Sequence, residues 1–499
     1  MDYALLLDPH GNHSRQQQLY LGLRAAILDG RLAGGTRLPA SRELAGELRI
    51  ARNAVVYAYE QLASEGLVHA SARGTVVAPL NRPGQLQPAA HTAAQQLSQR
   101  GGAFRTPFAE PEPASAFTPG VPALGDFPLA RWQKRLARAW RCADAATIGY
   151  GPAAGEPALR EAIASHLRST RGVRCDTAQL FITDGTQHGL DLCARLFADA
   201  GNTAWIENPG YHGALNAWRT AQLEVRGIAV DEHGLRPLAA DWQQHPPRLI
   251  YVTPSHQYPL GSVLSLERRL QLIADARAHG TLIIEDDYDS EFRRDGPPLP
   301  AMQGLEADAP VVYLGTFSKT LFPALRIGFM IVPAALVVQV EAALAQCQPR
   351  GRQIEQRALA GFIRDGEFLT HLRRMRKLYS ERRDAMLAAI HRHFGELAEV
   401  CGGSSGIHLA IRIPASIPDS LISQQARAAG LIARPLSAYR IGNEPDSASN
   451  GFILGYAQVP ADEMDGQIAM LAQLVRQHAS RLGDMPHIPS GDRAPNHFK

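Results

Sequence analysis

The chain has 499 residues, of which 45% are hydrophobic and 20% are charged, and its formal net charge is +3. Such a length exceeds one hydrophobic core and predicts two or three domains, while so small a net charge does not by itself indicate a nucleic-acid partner. No apolar run approaches ~18 residues, no secretion signal opens the chain, and the five scattered cysteines form no CxxC pair, which predicts a cytoplasmic protein without membrane partner or metal site.

Composition and hydrophobic periodicity divide the chain into successive zones. Helix signals are dense at the start, a Pro-, Gln- and Ala-rich stretch typical of a flexible linker follows, and apolar runs then alternate with helical patterns. We predict a DNA-binding domain at 1–79, a linker at 80–115, a cofactor-binding domain at 116–482 (large part 116–355, small subdomain 356–482) and a polar tail at 483–499.

The first zone has the pattern of a winged helix-turn-helix. Helical periodicity covers 16–28, and shorter helices are predicted at 42–48, with Ser41 as the N-cap, and at 52–65. Two short strands, 67–69 and 75–77, would form the wing. In this motif the second short helix enters the major groove, a nearby arginine clamps the backbone or a guanine, and the wing approaches the minor groove. The predicted DNA-contacting residues are Arg42, Ala51, Arg52, Asn53, Arg73 and Gly74.

Charge alone leaves open a helical bundle that binds no DNA, because this zone has eight arginines against seven acidic residues. The order Leu-Pro-x-Ser-Arg-x-Leu-Ala, Arg-Asn-x-Val-x-x-Ala-Tyr-x-x-Leu and Glu-Gly is more specific. Over residues 16–78 it resembles the GntR family of bacterial regulators. The resemblance implies binding to a double-stranded DNA operator.

Five short apolar runs organise the zone after the linker. They cover 180–183, 203–207, 249–253, 281–285 and 311–315, and helical patterns separate them. Such alternation predicts an α/β domain whose mostly parallel sheet is covered on both faces. A long arginine-rich helix at 367–393 begins the predicted small subdomain.

Lys319, one of four lysines in the chain, follows the last of these runs. A lysine amine can attack an aldehyde, whereas an arginine cannot lose its proton. Lys319 is therefore a candidate Schiff-base residue, although most lysines are simply solvated.

Residues around Lys319 have the side chains that a pyridoxal 5'-phosphate site needs. Asp286, at the end of an apolar strand, can pair with the pyridinium nitrogen. Gly185 and Thr186 lie between a strand and a helix, where backbone amides bind phosphate, and Arg326 can add a bidentate contact. Tyr211 can stack on the ring. Singly, Asp286 could cap a helix, Tyr211 could be a core residue and Arg326 could form a surface ion pair.

Residues 117–480 resemble the fold-type I, class I/II aminotransferases. The Ser-x-Lys-Thr motif identifies Lys319 with the family's Schiff-base lysine and Asp286 with its pyridinium partner. The resemblance further implies that Tyr288 and Tyr258 lie near the ring oxygen, Tyr258 standing where these enzymes have asparagine. The phosphate cradle would comprise Thr186, Gln187, Thr316, Ser318 and Arg326.

A GntR-type head, a linker and an aminotransferase-like body together resemble the MocR subfamily of regulators. The segments 254–261 and 285–292 match that subfamily's own signatures. This resemblance implies a cytoplasmic transcription factor, commonly a head-to-tail homodimer, that binds pyridoxal phosphate in its large domain.

The substrate side departs from the aminotransferase pattern. Ile453 stands where these enzymes have the arginine that binds the substrate carboxylate, and His212 follows Tyr211 where sensing members can carry another arginine. Whether Arg434 compensates is left open by the motif. We expect tight cofactor binding and weak binding of an amino acid carboxylate, with pyridoxal phosphate itself or an amino compound as the effector. A working aminotransferase, or a bifunctional protein with slow half-transamination, is the alternative.

Overall fold

The computed structural model describes residues 3, 7–8, 12–71, 74–79, 97–102, 116–294, 296, 299–347, 351–403, 405–442 and 449–482. The chain divides into two compact units, Met1–Gln96 and Leu97–Lys499. Arg73, most of the predicted linker and the predicted tail lie outside the described residues.

The first unit is the predicted winged helix-turn-helix. Leu19, Leu23, Leu44, Val55 and Leu62 are fully buried and join its three helices into one core. The wing is the antiparallel pair of the two strands. In chain order the elements are α1 (Arg15–Leu28), α2 (Ser41–Leu48), α3 (Arg52–Ser64), β1 (Val68–Ser71) and β2 (Gly74–Val77).

The start of α2 corrects one prediction. Ala40, not Ser41, occupies the N-cap position, with an extended backbone and no side-chain cap hydrogen bond. The Ala40 carbonyl accepts from the Leu44 amide at 3.0 Å, so the helix begins one residue earlier than predicted. Ser41 instead presents its hydroxyl to Arg52, whose Nε lies 3.4 Å away.

An eight-stranded sheet forms the centre of the second unit. Its order is β3-β10-β9-β8-β7-β4-β5-β6. The strands are β3 (Leu180–Thr183), β4 (Thr203–Asn208), β5 (Glu224–Asp231), β6 (Gly234–Leu235), β7 (Leu249–Val252), β8 (Leu282–Asp287), β9 (Val311–Thr316) and β10 (Gly328–Ile331). Helices in this part are α4 (Gln99–Gly102), α5 (Leu129–Arg141), α6 (Ala145–Ile148), α7 (Pro157–Arg171), α8 (Thr186–Phe197), α9 (His212–Thr220), α10 (Ala239–Gln244) and α11 (Leu266–His279).

The centre of this sheet is parallel, as predicted, and its flanks are not. The neighbours β5, β4, β7, β8 and β9 all run in parallel. In contrast, β10 is antiparallel to both β3 and β9, and β6 is antiparallel to β5. The sheet is therefore mixed. All residues of β3, β7 and β10 are buried, which explains their continuous apolar sequences.

A smaller, wholly antiparallel sheet follows in the order β11-β12-β14-β13. Its strands are β11 (Glu399–Cys401), β12 (His408–Arg412), β13 (Arg434–Pro435) and β14 (Gly451–Gly455), and the helices of this part are α12 (Val337–Cys347), α13 (Gln353–Arg364), α14 (Glu367–Phe394), α15 (Asp419–Ala428) and α16 (Met464–Leu482). Within the described residues, every helix is too short or too polar to cross a bilayer.

Candidate cofactor site and DNA-binding surface

A cavity of about 370 Å³ lies where the carboxyl ends of β7, β8 and β9 approach the small sheet. Ten of the eleven predicted cofactor residues line it, and the eleventh, Gly185, lies beside it. The lining also includes residues that the sequence motifs did not single out. The full set is Thr118, Pro119, Gly120, Val121, Thr186, Gln187, Tyr211, Tyr251, Tyr258, Asp286, Tyr288, Thr316, Ser318, Lys319, Pro323, Arg326, His408 and Arg434.

Asp286 is held near the end of β8 with its carboxyl group buried. The Tyr251 hydroxyl donates to Oδ2 at 2.8 Å, whereas the buried Oδ1 has no partner among the described residues. Burial raises the pKa of Asp286 to about 7, although the Tyr251 hydrogen bond opposes that shift. A buried carboxyl in this state gains a full charge when a cation is placed beside it.

Lys319 lies just beyond β9 and points into the same cavity. Its Nζ donates to the carbonyl oxygen of Gly120 at 2.8 Å. Burial lowers the pKa of Lys319, so that a larger fraction of its amine is unprotonated than in a solvated lysine. This environment excludes the interpretation of Lys319 as an ordinary surface lysine.

The start of α8 and the turn after β9 form a cradle suited to an anion. Gly185, with φ +89°, precedes the helix, and the Thr186 hydroxyl is buried without a partner among the described residues. A Cβ built on Gly185 would lie 3.8 Å from the Arg326 guanidinium carbon, so the guanidinium packs on this turn. A Cβ on Gly328 would lie 2.7 Å from the Gly185 Cα, which excludes any side chain there.

Arg326 itself adopts a left-handed backbone conformation, with φ 50°. Arg352 donates to the Arg326 carbonyl at 2.7 Å and also to the carbonyl of Leu325. These hydrogen bonds stabilise a conformation that is uncommon outside glycine and that recurs at functional sites.

Four tyrosines, Tyr211, Tyr251, Tyr258 and Tyr288, form the aromatic wall of the cavity. Tyr211 stacks on Tyr251 with ring centroids 6.4 Å apart. Tyr258 packs edge-on against Tyr211, with ring centroids 5.7 Å apart. The Tyr288 hydroxyl donates to the carbonyl of His256 at 2.9 Å. Because Tyr251 bonds to Asp286 and packs on Tyr211, it connects two of the predicted residues, although no motif indicated it.

A cluster of buried polar residues, His256, Asp289 and His408, lies beside this wall, and His408 itself lines the cavity. The ligand atoms of the three side chains lie within 4.8 Å of one another, and the His256 Nδ1 is 3.0 Å from the Asp289 carboxylate. Burial lowers the pKa of His408 well below its usual value, which keeps that ring neutral. The His256–Asp289 hydrogen bond positions the carbonyl that holds Tyr288.

The substrate-side departures have a clear structural setting. Ile453 is fully buried on β14, and its cross-strand neighbour on β13 is Arg434, which lines the cavity. His212 opens α9 and contacts the Ala438 carbonyl. Sequence reasoning left Arg434 undecided because the residue lies 115 positions after Lys319 and outside any shared motif.

In the first unit, four of the predicted DNA-contacting residues that the structure describes lie around the starts of α2 and α3, and a fifth lies on the wing. Arg42, Ala51, Arg52 and Asn53 are all exposed. Gly74 begins the second strand of the wing with φ +115°. Arg37 was missed by the sequence motifs: it pairs with Val76, and its Nε would lie 3.1 Å from a Cβ on Gly74. The sequence signal for Arg37 was its position directly before the Leu-Pro-x-Ser-Arg pattern.

The cavity fits pyridoxal phosphate. Among the described residues, the buried Asp286 Oδ1 and the buried Thr186 hydroxyl have no hydrogen-bond partner. Asp286 can therefore pair with a cation, and the Thr186 hydroxyl can donate or accept a hydrogen bond. The amides at the start of α8, the guanidinium of Arg326 and an amine with a lowered pKa complete the donor set.

Two family models match this chain. The one described as "Bacterial regulatory proteins, gntR family" matches residues 15–77, and the one described as "Aminotransferase class I and II" matches residues 117–465.

Similar proteins share the whole domain arrangement or the body alone. The probable rhizopine catabolism regulatory protein MocR of Rhizobium meliloti is 38% identical over 92% of this chain and 93% of its own length. The HTH-type pyridoxine biosynthesis transcriptional regulator PdxR of Corynebacterium glutamicum is 32% identical over 95% and 99%. The solved structure of the α-aminoadipate aminotransferase LysN from Thermus thermophilus, complexed with N-(5'-phosphopyridoxyl)-L-leucine, has a TM-score of 0.67 at 25% identity and covers 73% of this chain and 92% of its own.

Proposed function

The chain belongs to the GntR-type transcriptional regulators that carry an aminotransferase class I and II domain, and we propose that it binds pyridoxal phosphate and regulates transcription according to what occupies the cavity around Lys319. The single observation that carries the proposal is the joint lining of one cavity by Lys319, Asp286 and Arg326. The same chain carries a helix-turn-helix with exposed arginines in its first unit and this cavity in its second unit.

Each residue has a defined task in this proposal. Pyridoxal phosphate supplies an aldehyde, a pyridine ring that acts as an electron sink when its nitrogen is protonated, and a phosphate. Lys319 would offer its amine, and Asp286 would hold the proton on the ring nitrogen. Tyr211 would cover the ring, and Tyr258 and Tyr288 would face its oxygen.

The phosphate would be held by the amides at Gly185 and Thr186 and by Arg326. Further polar contacts come from Gln187, Thr316 and Ser318, whose side chains line the same cavity. The effector is pyridoxal phosphate itself or an amino compound that reaches it.

DNA recognition by a homodimer is the second part of the proposal. Trp140, Ile148 and Tyr150 are 60%, 69% and 82% exposed, and so apolar a surface is suited to a partner subunit. Two heads in a dimer read two half-sites, and ligand binding shifts the population of arrangements that span them. We assign DNA contacts to Arg42, Ala51, Arg52, Asn53, Arg73 and Gly74, in a cytoplasmic protein.

The domain boundaries at 79 and 116 belong to the same proposal. They are supported by family matches that end at residue 77 and begin at residue 117. The contact boundary between Gln96 and Leu97 falls inside the proposed linker.

A salt-dependent gel shift on the DNA upstream of the protein's own reading frame tests the function. We expect a specific complex whose affinity falls linearly with salt on logarithmic axes, and whose affinity or mobility changes when pyridoxal phosphate is added. Equal affinity for unrelated DNA, with and without pyridoxal phosphate, would contradict the proposal.

Slow half-transamination is a second candidate activity, favoured by the lowered pKa of Lys319. An amine in that state can accept and return a proton at Nζ. Incubating the protein with excess pyridoxal phosphate and an amino acid, and measuring keto acid release, tests it; no keto acid beyond that formed without protein would exclude it.

A further inference from the structure

We infer that His256, Asp289 and His408 form a binding site for a divalent transition-metal ion, and that Zn²⁺ is the ion their side chains fit best. The site lies beside the cavity around Lys319, and the inference does not depend on the proposed function. It reverses the expectation, drawn from the scattered cysteines, that the chain has no metal site.

Three separate segments bring the ligands together. His256 lies in the turns after β7, Asp289 follows the end of β8 by two residues, and His408 begins β12 of the small sheet. One ligand atom from each side chain lies within 4.8 Å of the other two. Because the segments are far apart in the chain, no short motif with metal-ligand spacing indicates the site.

The spacing of the three ligand atoms suits a single ion. The His256 Nδ1 lies 3.0 and 3.1 Å from the two carboxylate oxygens of Asp289, and the rings of His256 and His408 have centroids 4.7 Å apart. Ligand atoms at about 2.0–2.2 Å from a tetrahedral Zn²⁺ are about 3.3–3.6 Å from one another. The separations in the cluster, at most 4.8 Å, are close to that value, so small side-chain movements would place all three ligands on one ion.

His408 is the ligand whose hydrogen bonding leaves it most available. Its side chain is 1% exposed, and neither ring nitrogen has a hydrogen-bond partner among the described residues. The Pro259 carbonyl is near the ring but lacks hydrogen-bond geometry to either nitrogen. Imidazoles that bind a metal through one nitrogen usually donate the other N–H to such a carbonyl. A buried imidazole without a partner is unfavourable, and an ion would satisfy it.

Asp289 supplies the negative charge that a divalent ion needs. Its side chain is 1% exposed, and its carboxylate is hydrogen-bonded to His256. Lys319 is near enough for its charge to interact with Asp289, but the Lys319 Nζ donates to the Gly120 carbonyl instead. The alternative to a metal site is a plain His256–Asp289 pair that only positions Tyr288, and the two interpretations differ in whether His408 contributes.

Glycine backbone packs closely against the cluster. Gly406 has φ +79°, and a Cβ built on it would lie 2.3 Å from both the Asp289 Oδ2 and the His256 Cε1. No side chain can therefore occupy this position, and the backbone keeps the two ligands together. His408 also lines the cavity. Zn²⁺ with three protein ligands keeps one exchangeable position, which is then available to water or to a donor atom of a molecule in the cavity.

The chemistry of the ligands selects among ions. Imidazole nitrogens suit Zn²⁺ and its transition-metal neighbours, whereas Mg²⁺ and Ca²⁺ prefer sites made of oxygen. Zn²⁺ is therefore the probe, and Mg²⁺ is the ion that should not bind.

Competition titration of Zn²⁺ against a chromogenic chelator tests the inference on the full-length protein, first stripped of metal and kept free of added pyridoxal phosphate. For wild type we expect one tightly bound Zn²⁺ per chain and no tightly bound Mg²⁺. In His408→Asn and in Asp289→Asn the affinity for Zn²⁺ should fall at least about 100-fold, because losing even an outer partner of a metal ligand costs about 10- to 100-fold.

His166→Gln is the matched control, since His166 also pairs with a carboxylate, that of Glu291 at 2.8 Å, outside the cluster. Its affinity for Zn²⁺ should equal that of wild type. X-ray absorption of Zn²⁺-loaded wild type needs no variant and serves as the test if the substituted proteins do not fold. We expect two imidazole nitrogens and carboxylate oxygen at about 2.0–2.2 Å from the ion.

The possible outcomes are distinct. A wild-type protein that binds no Zn²⁺ tightly overturns the metal site. Affinity unchanged in both His408→Asn and Asp289→Asn, or lost equally in His166→Gln, indicates an adventitious ion only and overturns it as well, as does a sulfur ligand in the absorption spectrum. A wild-type protein that binds Zn²⁺ as expected but gains no visible band with pyridoxal phosphate overturns the proposed function and leaves the metal site in place.

Discussion

The two ends of the chain place their charged residues in opposite environments. In the head, Arg42 and Arg52 are exposed at the starts of helices. In the body, Asp286 and Lys319 lie in a cavity where burial shifts both pKa values toward the neutral form. The exposed charges of the head can therefore bind a charged partner directly from solvent. The ionisable groups of the body are already desolvated before a ligand binds. Substitutions should therefore have separable effects on the two units.

Removing the amine should produce the largest effect. We expect Lys319→Ala to lose the visible band of bound pyridoxal phosphate completely, because Lys319 is the one lysine among the described residues that line the cavity. Absorbance after gel filtration measures the band, and filter binding in the absence of ligand should show unchanged DNA affinity. Lys377→Ala, at an 83% exposed side chain, is the control. A visible band retained by Lys319→Ala would contradict the assignment of Lys319 as the Schiff-base residue. A changed DNA affinity would contradict the independence of the two units.

Neutralising the buried carboxylate should have the next largest effect. In Asp286→Asn the ring nitrogen loses its charged partner, and we expect cofactor affinity to fall about 10- to 100-fold. Equilibrium dialysis measures it, with Asp384→Asn, whose side chain is 63% exposed, as control. Unchanged affinity would show that Oδ1 is satisfied by something other than the cofactor.

In the head, Arg52→Ala should weaken operator binding about 10- to 100-fold, since a base contact contributes roughly 1–3 kcal/mol. If Arg52 contacts a phosphate instead, the salt dependence should become shallower by about one unit of slope. Fluorescence anisotropy at several salt concentrations distinguishes the two. Arg31→Ala, at an exposed arginine paired with Asp29, should leave DNA affinity unchanged. A changed cofactor spectrum in Arg52→Ala would argue against independent units.

The rate at which the body binds pyridoxal phosphate should also depend on pH. Because the pKa of Asp286 is raised to about 7, its carboxyl is mostly neutral at pH 6 and mostly charged at pH 8. The neutral fraction of the Lys319 amine also grows with pH, and its lowered pKa makes that fraction larger than for a solvated lysine at the same pH. Stopped-flow capture of pyridoxal phosphate should therefore be faster at pH 8, by about tenfold. A rate that fell with rising pH would contradict this sign.

Sequence patterns predicted the strands and helices whose burial leaves a regular hydrophobic pattern in the sequence. The strand 180–183 was predicted with its observed bounds. The long helix was predicted at 367–393 and is observed at Glu367–Phe394. Fully buried strands are continuous apolar runs, and amphipathic helices show their period. Lys319 and Asp286 were found because each lies at or shortly after the carboxyl end of such an apolar run.

Contacts between distant segments could not be predicted in this way. The hydrogen bond from Lys319 to the Gly120 carbonyl joins residues 199 positions apart, and nothing in either segment indicates it. Arg434 reaches the cavity only because β13 pairs with β14, a register that depends on packing of the small sheet. The antiparallel direction of β10 likewise depends on chain connectivity, not on local periodicity.

The cavity is bounded by residues of both sheets, with Tyr251 and Asp286 on one and His408 and Arg434 on the other. A small molecule bound there acts as a cross-link between two separately hydrogen-bonded layers. Any ligand that binds only the folded chain adds about 2.7 kcal/mol of resistance to unfolding at one hundred times its Kd. The lifetime of such a protein against proteolysis would then increase with ligand supply, so that the amount of regulator, as well as its activity, would follow ligand concentration.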